Sequence, residues 1–262
     1  MKTQFSPHML SRVALALVAF GLGAQAQAQI SSINSAVVTP RFFNDMTSAT
    51  GTYINNYPTA ITLGESGAWR ATSGGLDRDL WQFSNNNGSS AYTFGANDHF
   101  TATITLNVSG TTAVDNEAGF IIPNANSTFG GGDLQFLADP NSGFLGMFGG
   151  TGFWNSGLTY TAGSTVTLGM TYFFDAAKSQ NAFQFWVNNG SGNIFSPVQD
   201  WSGSLAGDTV GGYYQIGNSG SAPGSSGQAV FGNLSIAPVP EPSVLALLAL
   251  GFLPLLRHRR VA

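Results

Sequence analysis

The 262-residue sequence is 43% hydrophobic but only 8% charged, and it contains 34 glycines and no cysteine. So few charges argue against a fold of surface helices, whose exposed faces usually carry many Lys, Glu and Arg. The lack of cysteine excludes disulfides, zinc–thiolate sites and a thiol nucleophile. Residues 29–240 hold twelve acidic and four basic side chains, a net charge of −8 that argues against nucleic acid as a partner.

The first 28 residues have the order of a secretory signal peptide. Lys2 and Arg12 precede an apolar run over residues 13–22, and a stretch of alternating Ala and Gln follows. The run is too short to span a bilayer, which needs about 20 residues. We therefore predict export, with cleavage after Ala26 or Ala28.

The chain between the two termini, residues 29–237, is predicted to be one β-domain. Residues 100–108 alternate large apolar with mostly polar side chains, the period-two pattern of a half-buried strand. Glycine-rich and asparagine-rich turns separate the other candidates, and no amphipathic helix is predicted between residues 30 and 236. Those other strands are residues 118–122, 133–137, 143–148, 165–174, 183–187, 212–216 and 229–236. The pattern indicates an all-β, antiparallel sandwich.

The most specific internal pattern is a hairpin. A strand over residues 165–175 leads through a turn at Lys178 into a strand over residues 182–188. Together with a last strand over residues 229–236, this pair resembles the strands of laminin-G-like and concanavalin-like jelly-roll domains. The resemblance implies a jelly-roll β-sandwich over residues 40–237 and a carbohydrate-binding module of the lectin kind.

Asp115 and Glu117 are the candidates for glycan chemistry. Two residues apart on a strand they would face the same side, as the paired carboxylates of a glycosidase must. Concanavalin-like glucanases carry Glu-x-Asp-x-x-Glu on such a strand, but residues 118–122 contain no glutamate to act as the general acid. We therefore expect no enzymatic activity; the pair is either part of a ligand site or a charged loop. His99 has no nucleophile elbow nearby and is expected to be a surface or capping residue.

Calcium is the one cofactor that the sequence suggests. Asp133, Asp139 and Asn141 offer the hard oxygen ligands that Ca²⁺ prefers, and jelly-roll lectins often bind calcium in such loops. Their spacing matches no defined calcium loop. Residues 139–143 also read as an ordinary turn, which is the favoured interpretation.

Aromatic residues give the main hint of ligand binding. Most of the 5 Trp, 20 Phe and 7 Tyr are expected in the core of the sandwich. Sugar rings stack on aromatic faces that are exposed. Trp154 and Trp201 have loop-like neighbours, so we expect these two to be exposed and to contact a glycan.

Residues 238–262 form a second targeting segment. Val-Pro-Glu-Pro over residues 239–242 is followed by an apolar run over residues 243–256 and an arginine cluster over residues 257–260. The cluster should stay in the cytoplasm under the positive-inside rule. That orientation places the β-domain on the far side of the membrane, in agreement with the signal peptide.

The same segment resembles the PEP-CTERM sorting tail of Gram-negative bacteria. The matching residues are Pro240, Glu241 and Pro242 in the recognition tripeptide and Arg257, Arg259 and Arg260 in the terminal cluster. The resemblance implies a single transmembrane sorting helix that is processed by an exosortase, a membrane transpeptidase, and an association with exopolysaccharide and biofilm. The alternative is an ordinary anchor that remains in the membrane.

Three functions remain after these considerations. The first is a carbohydrate-binding or matrix-binding module, the second a structural matrix protein without a ligand, and the third a glycan-active hydrolase. In each case the expected partners are the exosortase and the secretion machinery, with a glycan in addition for the first and third. The protein is expected to be anchored in the inner membrane during sorting and then to reach the cell surface or the extracellular space.

Overall fold

A computed structural model describes the chain over residues 30–44, 50–68, 75–110, 116–123, 133–149, 152–218 and 225–239. The predicted signal peptide and the predicted sorting tail from residue 240 onward lie outside these residues. Within them, no helix is both long enough and apolar enough to cross a membrane.

The described residues form fifteen β-strands. The first seven are β1 Ser35–Asn44, β2 Thr50–Asn56, β3 Ala60–Ala68, β4 Gly75–Ser84, β5 Phe100–Gly110, β6 Asn116–Ile122 and β7 Leu134–Asp139. The last eight are β8 Phe144–Phe148, β9 Trp154–Asn155, β10 Thr165–Asp175, β11 Gln180–Asn188, β12 Asn193–Phe195, β13 Gln199–Trp201, β14 Gly211–Asn218 and β15 Ser225–Pro238. The predicted all-β class is confirmed.

The strands make two antiparallel sheets. One is seven-stranded, in the order β1-β4-β14-β6-β7-β8-β9, and the other is eight-stranded, in the order β12-β11-β10-β5-β15-β3-β2 with β13 also paired to β11. Strands that are distant in sequence lie side by side, since β14 inserts between β4 and β6, and β15 between β5 and β3. Strands from the C-terminal part of the chain therefore occupy central positions in both sheets.

The main core lies between the two sheets and follows from period-two alternation. Every second side chain of β5, from Phe100 to Val108, is buried, while the threonines between them are half-buried. In β4 and β14 the inward positions hold Trp81 and Tyr214, both fully buried in the same cluster. Burying large aromatic and aliphatic side chains from both sheets is the main favourable term in folding such a sandwich.

Trp81 joins the two sheets directly. Its ring makes an edge-on contact with Phe83 of its own strand, with centroids 5.1 Å apart. It also lies 5.7 Å from the ring of Phe231 in β15, which belongs to the opposite sheet. Gly212 on the adjacent strand makes room for the indole, because a Cβ there would overlap the Trp81 ring.

All eight strands predicted from the sequence are confirmed, as is the hairpin of β10 and β11, whose register runs from Thr167 opposite Asn188 to Asp175 opposite Gln180. The short strands β9, β12 and β13 and the first four strands were not predicted. Their apolar alternation is interrupted: charged residues occupy inward positions of β4, and β1 contains a proline and a β-bulge between Thr39 and Phe43. A strand with charged residues at buried positions lacks the alternation of apolar and polar residues by which strands are predicted from sequence.

We predict that Trp81→Ala lowers the free energy of unfolding by about 3–5 kcal/mol, because it removes a fully buried ring from the contact between the sheets. Urea denaturation of the full chain would measure the difference. Phe174→Ala, at a position that is 38% exposed, is the matched control and should change stability by less than about 1 kcal/mol. Equal losses in the two variants would contradict the assignment of Trp81 to the core.

Candidate functional site

A groove of about 760 Å³ lies on the outer face of the seven-stranded sheet. Its floor is formed by side chains of β4, β14, β6 and β7, and its rim by residues of β8 and of the segment 152–159. Alternation sends Arg78, Gln215 and Glu117 outward into the groove, whereas their neighbours Tyr214 and Trp81 point into the main core.

A small apolar cluster borders the groove and shares its lining residue Leu137. Leu80, Ile121, Leu137 and Tyr213 are buried together in a second, smaller cluster on this outer face, and Phe144 packs against it. Tyr213 and Leu137 stand opposite Gly119 on either side of β6. A Cβ on Gly119 would overlap the carbonyl oxygen of Phe136, so glycine is required by the close approach of β6 and β7.

A hydrogen-bonded network crosses the floor. Arg78 donates to Gln215 Oε1 from Nε at 2.8 Å and from Nη2 at 2.5 Å, and its Nη1 pairs with Asp133. Gln215 Nε2 in turn donates to Glu117 Oε1 at 3.0 Å. The hydroxyl of Tyr213 donates to the same oxygen at 3.1 Å, and the Arg78 guanidinium lies 5.4 Å from the Tyr213 ring centroid. These bonds fix Glu117 and Arg78 in place.

Burial keeps the Tyr213 hydroxyl protonated. The phenol is fully buried, and desolvation, followed by the charge of Glu117, raises the pKa of Tyr213 well above its ordinary value. It therefore acts as a hydrogen-bond donor to Glu117 throughout the physiological pH range.

Exposed aromatic rings form one side of the groove. Phe148 is 56% exposed and Phe153 is 64% exposed, although both are large apolar side chains. Phe153 stacks on Phe144, with ring centroids 5.3 Å apart and an interplanar angle of 28°. The groove thus places flat apolar surfaces beside a row of polar groups, and it can bind a ligand through both.

Of the two predicted glycan residues, Glu117 lies on the floor of this groove and Asp115 lies outside the described residues. Among the described residues, the one other carboxylate that lines the groove belongs to Asp139. Its oxygens accept bonds from the backbone N–H groups of Asn141 and Ser142, at 2.7 and 3.3 Å, and from the Ser142 hydroxyl. Asp139 therefore acts as a turn cap.

The three calcium candidates make separate contacts in the structure. Asp133 pairs with Arg78, Asp139 caps its own turn, and Asn141 is exposed in that turn. The favoured interpretation of residues 139–143 as a turn is confirmed.

The expectation that Trp154 and Trp201 are exposed in loops was wrong. Trp201 is in β13, is only 1% exposed, and packs 4.9 Å from Phe183. Trp154 is in β9 and half-buried against the main core, 6.1 Å from Phe136. Short strands at the sheet edges place both rings inward, where local sequence predicted loops.

His99 is also more buried than expected. Its ring is 6% exposed, its Nε2 lies 3.0 Å from Asn181 Oδ1, and it packs against Tyr172. The residues predicted for sorting, from Pro240 to Arg260, lie outside the described residues.

A second polar site is buried between the sheets. Glu65 of β3 and Asp77 and Asp79 of β4 are 0–2% exposed and offer carboxylate oxygens that lie within 4.8 Å of one another. The bulge of β1 places Arg41 beside them with a φ of 48°. We call Glu65, Asp77 and Asp79 the buried carboxylate cluster.

Arg41 and Tyr53 contact the buried carboxylate cluster. Arg41 Nη2 lies 3.2 Å from Glu65 Oε2 and its Nε lies 3.8 Å from Asp77 Oδ2, while its backbone N–H donates to Asp79 Oδ1 at 2.7 Å. The hydroxyl of Tyr53 donates its proton to Glu65 Oε1. Burial, the hydrogen bond to Glu65 and the nearby carboxylates raise the pKa of Tyr53 above its ordinary range, so this phenol is neutral.

Sequence reasoning missed the aromatic rim and the buried carboxylate cluster. The signal for the cluster was present, since Asp77 and Asp79 are two residues apart and must share a face of a strand. For Phe148 and Phe153 no local signal separates an exposed ring from a core ring. Their exposure depends on which strand lies at the edge of the sheet.

No protein-family model matches the sequence, and no curated protein matches it. Solved structures of similar architecture include lectin II from Ulex europaeus, 11% identical with a TM-score of 0.40, covering 78% of this chain and 99% of the lectin. Arcelin-5, a lectin-like defence protein from Phaseolus vulgaris, is 9% identical with a TM-score of 0.41, covering 78% and 99%. A Shewanella oneidensis MR-1 protein of unknown function is 11% identical with a TM-score of 0.39, covering 92% and 97%. At this level of similarity the ligand of any of them says nothing about this chain, whose sandwich is defined by its own strand order.

The buried carboxylate cluster predicts a pH-dependent stability in metal-free buffer. Desolvation raises the pKa of Asp79 to about 7; the Arg41 N–H bond and the Tyr53 hydroxyl oppose this shift, and the charges of Glu65 and Asp77 add to it. The groups that face Asp79 are Arg41 of β1, Tyr53 of β2, Glu65 of β3, Asp77 of β4 and Tyr214 of β14.

Because the folded-state pKa exceeds the unfolded value of about 4, the folded chain binds this proton more tightly. The contribution of Asp79 to the free energy of unfolding should therefore be greatest below about pH 4 and fall as pH rises to about 7, by up to about 1.4 kcal/mol per pH unit. Urea denaturation across this range would measure it, and Asp79→Asn should flatten the profile relative to the unchanged chain. Identical slopes in both proteins would contradict the prediction.

Proposed function

We propose that this protein is an exported cell-surface or matrix protein whose β-sandwich binds a carbohydrate in the groove. The observation that carries the proposal is the pairing, in one groove, of the exposed rings of Phe148 and Phe153 with the network of Arg78, Gln215 and Glu117. The jelly-roll resemblance of the hairpin and the last strand supports the same function.

The chemistry of the groove matches that of a sugar. A pyranose ring has apolar C–H faces that pack on aromatic rings and hydroxyl groups that both donate and accept hydrogen bonds. The side chains of Arg78 and Gln215 supply donors and the carboxylate of Glu117 supplies an acceptor. The volume of about 760 Å³ is in the range of small-ligand sites and would hold a short oligosaccharide.

Charge favours a neutral glycan over an acidic one. The β-domain carries a net charge of −8, so an anionic polysaccharide would be repelled at long range. Within the groove, Arg78 is already paired with Asp133 and bonded to Gln215. We therefore propose a neutral glycan of the extracellular matrix as the ligand.

We further propose that binding is not followed by hydrolysis. Glycoside hydrolysis needs two carboxyl groups at a defined separation across the bond that is cleaved. Glu117 accepts two hydrogen bonds and Asp139 caps a turn, so neither is presented as a free general acid. A purely structural matrix protein is the alternative, and it predicts that the groove binds no glycan.

Binding can be tested on a glycan array and by calorimetry with the full chain. We expect Phe148→Ala and Phe153→Ala each to weaken binding of a neutral oligosaccharide about tenfold or more, since each removes an exposed apolar surface of the site. Phe195→Ala is the matched control, because Phe195 is 53% exposed on β12 at the edge of the other sheet. It should leave affinity unchanged.

Two outcomes would contradict the proposal. Absence of binding to every glycan tested would favour the structural alternative, and equal losses in all three variants would place the site elsewhere. Release of reducing ends during the incubation, abolished by Glu117→Gln, would show that the protein is a hydrolase.

Export and sorting form the second part of the proposal. The signal-peptide order of residues 1–28 and the resemblance of residues 238–262 to a PEP-CTERM tail support secretion followed by exosortase processing. The tail would hold the protein in the inner membrane until processing, after which the β-domain would reach the cell surface or the biofilm matrix.

Mass spectrometry of the protein isolated from its native cells tests this sorting. We expect a mature N-terminus at Gln27 or Gln29 and a C-terminus that lacks Arg257, Arg259 and Arg260. A variant with Pro240, Glu241 and Pro242 replaced by alanine should keep the arginine-rich end and remain in the membrane fraction. An intact C-terminus in the unchanged protein would contradict processing and favour a permanent anchor.

A further inference from the structure

The outer face of the eight-stranded sheet carries a tryptophan that is not part of the core. Trp186 of β11 is half-buried and packs in neither apolar cluster of the described residues. Its neighbours Phe185 and Val187 point into the main core, so alternation sends the indole outward. Its indole N–H makes no hydrogen bond with a described residue, and unlike that of Trp81 it is open to solvent.

A glycine lets this indole lie on the sheet. Gly169 of β10 stands directly opposite Trp186 in the ladder of β10 with β11. A Cβ on Gly169 would overlap the atoms Nε1, Cε2 and Cζ2 of the indole, so the ring lies across β10 with one side against the glycine backbone. An aromatic ring that covers a cross-strand glycine stabilises a sheet. In this position the ring also presents its other side away from the sheet.

Hydroxyl groups flank the ring. Thr103 of β5 pairs with Gly169 across the next ladder, and Thr167 is the adjacent outward residue of β10. Both are half-buried, and neither hydroxyl has a hydrogen-bond partner among the residues that the structure describes. Thr101 and Thr171, one outward position further along, instead lie 3.1 Å apart and bond to each other. The hydroxyls of Thr103 and Thr167 can therefore each donate to and accept from a ligand on the indole.

The face around Trp186 is uncharged. The outward side chains of β5, β10 and β11 are Thr, Ser, Asn, Gln, Gly, Ala, Phe and Trp, with Asp175 as the one charged residue among them. Asp175 lies at the hairpin turn, about 20 Å along β10 from Gly169. A charged side chain loses its hydration when an uncharged polymer covers it, which is unfavourable. A face without charges, in a domain of net charge −8, therefore suits a neutral ligand.

We propose that this face is a second carbohydrate site, which binds the surface of a neutral polysaccharide. We call Trp186, Gly169, Thr103 and Thr167 the Trp186 platform. The apolar C–H face of a pyranose ring packs on the indole, and the sugar hydroxyls bond to Thr103 and Thr167. Because the indole lies on the sheet instead of standing up from it, the platform is open and suits polymer chains that are packed side by side.

The platform would give the protein a second point of attachment. It lies on the eight-stranded sheet, whereas the groove lies on the outer face of the seven-stranded sheet, on the opposite side of the sandwich. One molecule would therefore contact two separate polysaccharide chains and link them, which a protein with one site cannot do. The platform does not depend on what the groove binds.

The platform can be tested by co-sedimentation of the full chain with microcrystalline cellulose and with chitin, two insoluble neutral polysaccharides. All proteins carry Phe148→Ala and Phe153→Ala, so that the groove does not contribute. We expect Trp186→Ala to weaken binding about tenfold or more, because it removes the stacking surface. Thr103→Val keeps the shape of the side chain but removes the hydroxyl, and it should weaken binding about threefold.

Phe195→Ala is the matched control for the loss of an aromatic ring on this face. The Phe195 ring is 53% exposed, and its centroid lies 6.5 Å from that of Trp186. Its plane is tilted by 50° to the indole, so a ligand that lies flat on Trp186 does not stack on it. The variant should therefore bind both polysaccharides as before.

Two results would overturn the proposal: no sedimentation with either polysaccharide, or sedimentation that Trp186→Ala leaves unchanged. If the ring only covers Gly169, Trp186→Ala will lower the free energy of unfolding and leave binding as it was. Should this variant fail to fold, unchanged binding in Thr103→Val contradicts the platform. A dimer in solution that Trp186→Ala dissociates would show that a second copy of the chain covers the face instead. Failure of the groove is recognised separately, since calorimetry of the unchanged chain then shows no binding of soluble oligosaccharide.

Discussion

The central strands of the seven-stranded sheet contribute side chains both to the core between the sheets and to the groove on the outer face. In β4, β14 and β6 the inward side chains fill the space between the sheets, and the outward ones form the groove. The period of two residues couples the surfaces, so a shift of one position would turn Trp81 outward, bring Leu80 or Gln82 into its inward position and disrupt both surfaces. The packing of Trp81 between Phe83 and Phe231 therefore fixes the register on which the polar network outside depends.

The β-domain has few charged side chains, and its two arginines in β1 and β4 each contact acidic or amide side chains. Arg78 is bonded to Gln215 and paired with Asp133, and Arg41 contacts Glu65 and Asp77. Arg41 and Arg78 thus each contact more than one acceptor. In the buried carboxylate cluster Arg41 contacts all three acids, two through its guanidinium and Asp79 through its backbone N–H.

The sequence predicted the longer strands from β5 onward but neither the first four strands nor the sites. Residues 100–108 alternate regularly because one face of β5 is buried and apolar and the other is partly exposed and polar. In β4 the alternation is reversed at two points, since Asp77 and Asp79 are buried while Leu80 packs on the outer face. Local pattern cannot reveal such a strand, because its burial is decided by residues that are distant in sequence.

The same limit applies to the candidate groove. Glu117 was identified because two acids at a spacing of two residues share a face, and it does lie in the groove. Its partners Gln215 and Arg78 come from strands about 100 and 40 residues away in the chain, and only the insertion of β14 between β4 and β6 brings them together. Exposure of Phe153 and burial of Trp201 depend likewise on the sheet edges rather than on neighbouring residues.

The position of β15 has a mechanical consequence. This strand of 14 residues, Ser225–Pro238, is paired on both sides, with β5 and with β3, and its last residue immediately precedes the tail. At its C-terminal end, from Ser235 to Pro238, the strand is paired with β5 alone, whereas residues 227–232 are paired with both neighbours. A load applied at that end would therefore meet one ladder of hydrogen bonds first and two ladders only further along the strand. A load at the N-terminal end would meet the ladder of the edge strand β1 with β4.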